Sequence, residues 1–376
     1  MASHDPARRR TLHSWTTGPD NWTLRRDAAN AKAVLTDLAS NDYLGLSRHT
    51  ALIDAATRAV RVDGAGSGGS RLVTGSRPSH QQLERELGNW LERDSVLLFP
   101  SGFQANLAAV CLLADRHSTV LADRLIHHSL LVGVQASGAR LQRFRHNDLV
   151  DLERRLSKLK TDQSRVLVIS ESLFSMEGTS PAIDGLVNLC QQFGARLLVD
   201  EAHALGVLGP GGRGLGFGHS GITMISGTFG KAFGSGGAFL ACDAALGDQL
   251  LQTSGAFRYT TALAPALVGA AQAALELIRS HPDWGNELIQ RSDRWRKALT
   301  DAGWPRPGGD GPVLPLVIGG DADALEAQAQ LERGGLLAVA IRPPTVPEGT
   351  ARLRLVLRRD LPEGTLDRLL QTLQSR

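Results

Sequence analysis

From about residue 79 onward, short uninterrupted apolar runs alternate with longer amphipathic stretches, and this rhythm constrains the fold more than any other feature of the chain. The runs at 95–99 (SVLLF), 119–122 (TVLA), 165–169 (RVLVI) and 196–199 (RLLV) are too short for buried helices and too continuously apolar to have a wet face. Between them, 80–92, 102–113, 149–160 and 183–193 read as helices. Strands with no polar face need cover on both sides. The pattern therefore specifies an α/β architecture: a mainly parallel sheet sandwiched by helices, with ligands at the carboxyl ends of its strands.

The 376 residues, 42% of them hydrophobic, are enough to build a large core and a second unit. Residues 1–46 read as a polar N-terminal arm, an appendage with β-like pieces at 22–24 and 34–38. A helix over 50–62 opens a large domain spanning 47–262. An Ala-rich helix over 265–280 then leads into a smaller C-terminal domain, 263–376, with strands expected at 314–317, 338–342 and 351–357 and a terminal helix. Forty-one basic against 38 acidic residues leave a formal charge of only +3, which argues against nucleic acid or a membrane surface as a partner. The first residues lack an apolar leader core, and no window approaches the ~18 apolar residues of a membrane span. Cys111, Cys190 and Cys242 are far apart with no metal-binding spacing, so reduced thiols, no metal and a cytoplasmic location are expected.

The residues that follow each strand carry the chemistry. Asp200-Glu201-Ala202-His203 follows 196–199, and Ser170 to Ser175 follows 165–169. Asp123 to His128 follows 119–122. Ser101-Gly102-Phe103 opens a helix whose first amides can hold a phosphate. Thr228 and Lys231 follow the apolar segment 222–225, in a run of small residues reaching Gly237. Taken alone, that run fits either a desolvated, nucleophilic lysine or a solvated loop lysine among turn glycines. Asp200 alone fits either a ring-facing carboxylate or a helix cap. Gly64 to Arg71 is only superficially like a phosphate loop, since it lacks the lysine and follows a helix rather than a strand. Taken together, a lysine amine for an aldehyde, a carboxylate for a pyridine nitrogen, a histidine for a ring face and a helix start with a hydroxyl for a phosphate describe pyridoxal 5'-phosphate.

The segments Asp200-Glu201-Ala202-His203-Ala204-Leu205-Gly206, Thr228-Phe229-Gly230-Lys231 and Ser40-Asn41-Asp42-Tyr43-Leu44-Gly45-Leu46 resemble the α-oxoamine synthase family of fold-type I pyridoxal-phosphate enzymes, and the likeness covers nearly the whole chain. It implies that Lys231 bonds the cofactor aldehyde, Asp200 pairs with the ring nitrogen and His203 meets the phenolic oxygen. It further implies that His127 stacks on the ring, that Gly102, Phe103 and Thr228 bind the phosphate, and that Ser175 touches the cofactor edge. Thr260 and Thr261 either reach a phosphate across a dimer interface or are strand hydroxyls without a ligand.

On the substrate side the resemblance implies Arg354 as carboxylate ligand, Thr345 and Asn41 near the substrate, and an arm arginine, chosen as Arg8 over Arg9 and Arg10. Arg352 is read as a surface-strand arginine. The segment Arg342-Pro343-Pro344-Thr345-Val346-Pro347 resembles the members of the family that condense L-alanine with a pimeloyl thioester, carried on coenzyme A or a carrier protein, with loss of CO₂, in biotin synthesis, and the fold type implies a homodimer. Lys231 would then act as base, and His127 would assist the acyl oxygen or the β-keto carboxylate. The alternatives are a glycine-specific member using acetyl-, succinyl- or long-chain acyl-CoA, a serine palmitoyltransferase-like activity and, from another class, a non-catalytic regulator that binds nucleic acid through Arg8–Arg10 and Arg25-Arg26.

Overall fold

The computed structural model describes residues 6–26, 33–159 and 165–374. The end of the expected helix 149–160, at Lys160, lies outside them. Two compact units emerge. The larger comprises 46–174 and 180–285, the smaller 1–45, 175–179 and 286–376.

In the larger unit seven strands form one sheet, in spatial order Ser95–Phe99, Ala238–Cys242, Met224–Thr228, Arg196–Asp200, Val166–Glu171, Thr119–Asp123 and Arg140–Phe144. All pairings run parallel except those of Ala238–Cys242, which is antiparallel to both its neighbours. Thr119–Asp123, Val166–Glu171 and Ala238–Cys242 are buried along their whole length, as the missing polar face requires. Arg140–Phe144 escapes a search for apolar runs because it is an edge strand, with polar residues at three of its five positions. Its neighbour in sequence, the helix His128–Ser137, packs Leu130 and Val134 into the same core as Val110 and Leu113 of the helix Gly102–Leu113.

Register aligns the strand ends. Glu171 lies opposite Asp200, and Asp200 opposite Ser226, while Ala238 faces both Phe99 and Thr228. The carboxyl ends of the six parallel strands therefore share one rim. Gly237 makes the turn back from that rim possible. It has φ +95°, and a Cβ there would lie 2.6 Å from Leu263.

The smaller unit holds an antiparallel sheet, Val313–Gly319, Ala351–Val356 and Val339–Ile341, and a second sheet ordered Trp15–Thr17, Thr23–Arg26, Val34–Asp37 and Leu336–Leu337. The N-terminal arm, expected as an appendage, is thus built into this unit, because Val34–Asp37 pairs in parallel with Leu336–Leu337. Arg358, 3% exposed, fixes it further through Asp37 (3.3 Å), Asp42 (3.3 Å), Asp360 (2.9 Å) and the carbonyl of Asn21 (3.1 Å). The division between units falls after Gly285 rather than at 262, so the helix Pro265–Ser280 belongs with the larger one. A second correction concerns Arg352. It is buried, at 7% exposure, and bonds the carbonyl of Met176 (3.3 Å) and Glu177 (3.4 Å).

Candidate active site

A cavity of about 190 Å³ opens at the rim of the larger unit, and Gly102, Phe103, His127, Asp200, His203, Thr228 and Lys231 all line it. Asp200 ends its strand at 5% exposure. Its Oδ2 accepts from Asn106 Nδ2 (2.8 Å) and its Oδ1 from the Ala202 N–H (2.9 Å). Two neutral donors hold this carboxylate in place without cancelling its charge. Lys231 comes three residues after the strand Met224–Thr228, in a turn tied by Phe229 N–H to Gly237 O (2.9 Å), Ser235 N–H to Phe229 O (2.8 Å) and Gly234 N–H to Lys231 O (2.9 Å). Phe229 and Phe233, fully buried with ring centroids 5.5 Å apart, anchor the turn on either side of the lysine.

The opposite wall is a helix start. Ser101 caps Gly102–Leu113 by accepting from the Gln104 N–H (3.3 Å), and the amides of Gly102 and Phe103, which a helix cannot pair internally, border the cavity. A Cβ built on Gly102 would meet only the Thr228 side chain, at 3.9 Å, so the missing side chain leaves room between the helix start and that hydroxyl residue. His203 is 6% exposed, in the turn after Asp200. His127 caps the next helix, and burial holds its imidazole below the ordinary value; Asp200 opposes that shift, and Lys231 and His128 add to it.

Two further groups, Asn106 and Ser129, were missed in the sequence. Asn106 and Ser129 line the cavity beside Glu171, which is 4% exposed and accepts the His127 N–H at 2.5 Å. Burial pushes the Glu171 carboxyl well above its usual range, with Asp200 adding to the shift and Lys231 opposing it. One signal was available: Asn106 is a polar residue one helical turn after Gly102, inside an otherwise apolar run. Glu201, buried between strands, accepts from the Gly216 (2.5 Å) and Leu215 (3.2 Å) amides, and burial lifts its carboxyl to about 7.

The remaining expected residues belong to the smaller unit. The carbonyl of Ser175 accepts from Arg354 Nε (2.6 Å), and Asn41 Oδ1 accepts from Arg354 Nη2 (2.9 Å). Burial raises the phenol of neighbouring Tyr43 to about 12, with Arg354 opposing the shift. Arg8 is engaged by Asp321 (2.8 Å) and Glu348 (2.9 and 2.5 Å), whereas Arg10 donates to Thr345 Oγ1 (3.1 Å). Thr345 is exposed and follows the cis bond Pro343–Pro344.

The residues lining the cavity fit pyridoxal phosphate. An amine, an ionisable carboxylate held by neutral donors, an anion-ready helix start and a histidine share one hollow, and Gly102 leaves the space a phosphate needs. The family model described as aminotransferase class I and II matches residues 33–373. The chain is 42% identical over 341 residues to the 8-amino-7-oxononanoate synthase of Methylococcus capsulatus (strain ATCC 33009 / NCIMB 11132 / Bath), covering 90% of this chain and 88% of that one. Among solved structures, SPT with its PLP internal aldimine superposes with a TM-score of 0.91 at 25% identity, covering 97% of this chain and 92% of that one. The 8-amino-7-oxononanoate synthase of Francisella tularensis superposes with a TM-score of 0.77 at 27% identity, covering 90% and 96%.

Proposed function

The chain belongs to the class I and II aminotransferase family, and from that premise we propose that it condenses L-alanine with a pimeloyl thioester, releasing CO₂ and giving 8-amino-7-oxononanoate for biotin synthesis, with pyridoxal 5'-phosphate as cofactor. The observation that carries this proposal is the 42% identity across nine-tenths of the chain to an oxononanoate synthase, together with a cavity that joins Lys231 and Asp200. Shape alone separates the candidate chemistries poorly, since serine palmitoyltransferase and oxononanoate synthase share the fold.

When bound, pyridoxal phosphate supplies an electron sink for a carbanion at the amino acid's α-carbon. Lys231 would hold the cofactor covalently, Gly102, Phe103 and Thr228 would hold its phosphate, and Asp200 would keep a proton on its ring nitrogen. The charge of Asp200 suits that task because its hydrogen-bond partners are neutral. Once the alanine amine has displaced it from the cofactor, Lys231 Nζ would be free to take the α-proton of alanine and hold it through the condensation. His127 lines the cavity and would face the acyl oxygen as it acquires charge. Arg354 is the ligand we propose for the alanine carboxylate, with Asn41 and Ser175 steadying its guanidinium. Arg8 and Thr345 are proposed on the acyl-donor side.

We read the assembly as a homodimer. Leu72, Val73 and Tyr259, 51%, 77% and 80% exposed, flank one hollow together with Thr260 and Thr261, a wet apolar patch of the kind subunit contacts cover. Among the described residues no helix is long and apolar enough to cross a membrane. The reduced thiols and balanced charge support a cytoplasmic location.

Incubation with L-alanine and pimeloyl-CoA, read by mass spectrometry, should yield 8-amino-7-oxononanoate and one CO₂ per turnover. Product from glycine with acetyl-CoA, or from serine with palmitoyl-CoA, and none from alanine would overturn the proposal.

A further inference from the structure

Four side chains on three elements form one hydrogen-bonded file along the cavity wall. Asn106 Nδ2 lies 2.8 Å from Asp200 Oδ2 and 2.9 Å from Ser129 Oγ, and Ser129 Oγ lies 2.7 Å from His127 Nδ1. The file is dry. Asn106 is 3% exposed and Ser129 is fully buried.

The chemistry of each atom sets the direction of each bond. An ionised carboxylate only accepts, so the Asn106 atom facing Asp200 is the amide nitrogen, whose second proton goes to Ser129 Oγ. Turning the amide over would set its carbonyl oxygen against the carboxylate. The orientation is kept even though it leaves Asn106 Oδ1 buried with no hydrogen-bond partner. Besides accepting the Asn106 proton on one of its two lone pairs, the Ser129 hydroxyl has its own proton to give, and His127 Nδ1 is an acceptor in reach. The backbone N–H of Ser129, which can only donate, also points at Nδ1, at 3.3 Å. Two donors converge on one ring nitrogen, which must therefore be a bare lone pair.

We propose that Asn106 and Ser129 are positioning residues that pass the fixed polarity of Asp200 to His127, locking its neutral imidazole with Nδ1 unprotonated and Nε2–H as the donor for the cavity. Building an imidazolium would need a proton on Nδ1, where both neighbours already donate. Among the charged groups around the ring, Asp200 favours a cation, Lys231 and His128 oppose it, and burial opposes it most, in keeping with a neutral ring. The buried Glu171 carboxyl holds the His127 N–H and so fixes the backbone from which the ring projects. If the function proposed above holds, on which this last step rests, His127 serves the acyl oxygen as a hydrogen-bond donor from Nε2 rather than as a base.

The test is two-bond ¹H–¹⁵N correlation NMR on ¹⁵N-histidine-labelled holoenzyme, with the His127 signals assigned by their loss in His127→Asn. The wild type should show His127 with Nδ1 unprotonated and Nε2 protonated, and a protonated Nδ1 would overturn the proposal without reference to turnover. Ser129→Ala should move His127 to a mixture of tautomers. It should also lower kcat about tenfold, the worth of one hydrogen bond, with KM for alanine unchanged. A fall in kcat with the wild-type tautomer retained would mean a merely structural role and would equally overturn it. Failure of the product assay with the tautomer as predicted would cost the proposed function and leave the relay standing.

Discussion

Two clusters of buried carboxylates, one in each unit, are handled in opposite ways. In the smaller unit Asp37, Asp42 and Asp360 all converge on one guanidinium, that of Arg358, so each carboxylate has a cation within reach. In the larger unit Asp200 and Glu171 stand side by side in register, and among the described residues Asp200 is hydrogen-bonded only by neutral amides. A buried charge compensated by its neighbours is architecture. One left over at a cavity, beside a carboxyl whose pKa burial raises, is an invitation to a cationic ligand group. The difference separates residues that hold this molecule together from those we propose for its chemistry.

Substitutions can break that contrast. The largest effect is expected for Lys231→Ala, which should abolish both turnover and the cofactor absorbance near about 420 nm. Asp200→Asn removes the uncompensated charge while leaving a side chain able to accept from the Ala202 amide, and should cost about 10²–10³ in kcat with little change in thermal stability. Arg358→Leu should do the reverse. Stranding the buried Asp37 and Asp42, with the part-buried Asp360, should cost about 3–5 kcal/mol of unfolding free energy, read by urea titration, while kcat per folded molecule stays at the wild-type value. Loss of kcat in Arg358→Leu at wild-type stability would erase the distinction between the two clusters.

A subtler effect concerns Glu201. Its folded-state carboxyl titrates near 7, above its ordinary unfolded value of 4.5, so the folded state binds the extra proton between those pH values. Stability attributable to this group is therefore full below about 4.5, falls as pH rises towards 7 and is level beyond. Glu201→Gln should flatten that part of the stability–pH curve measured by denaturant unfolding. An unchanged slope would place the titration elsewhere. The smallest effect is expected for Arg8→Ala, a few-fold rise in KM for the acyl donor. If Arg10→Ala raises it and Arg8→Ala does not, the role passes to the arginine that reaches Thr345.

How much of this was legible in the sequence follows from the range over which each feature is specified. The helices Gly102–Leu113 and Pro265–Ser280 have the bounds that local pattern predicts, because a cap serine and an N-terminal proline announce their starts. The rim residues were readable because each directly follows an apolar strand. The integration of the arm was not, since it rests on a parallel pairing between Thr36 and Leu336, about 300 residues apart, which leaves no local trace. Asn106 was passed over for the same reason, its partner Asp200 lying 94 residues away. The strand Arg140–Phe144 and the polar helix Trp284–Asp301 were missed because an edge position and a wet face hide the apolar signal.

That the amine of Lys231 reaches an aldehyde whose ring faces Asp200 can be tested in one step. Borohydride reduction of the holoenzyme, followed by proteolysis and peptide mass spectrometry, should place a single pyridoxyl group on Lys231. A pyridoxyl group on Lys158 or Lys297, with Lys231 unmodified, would contradict it.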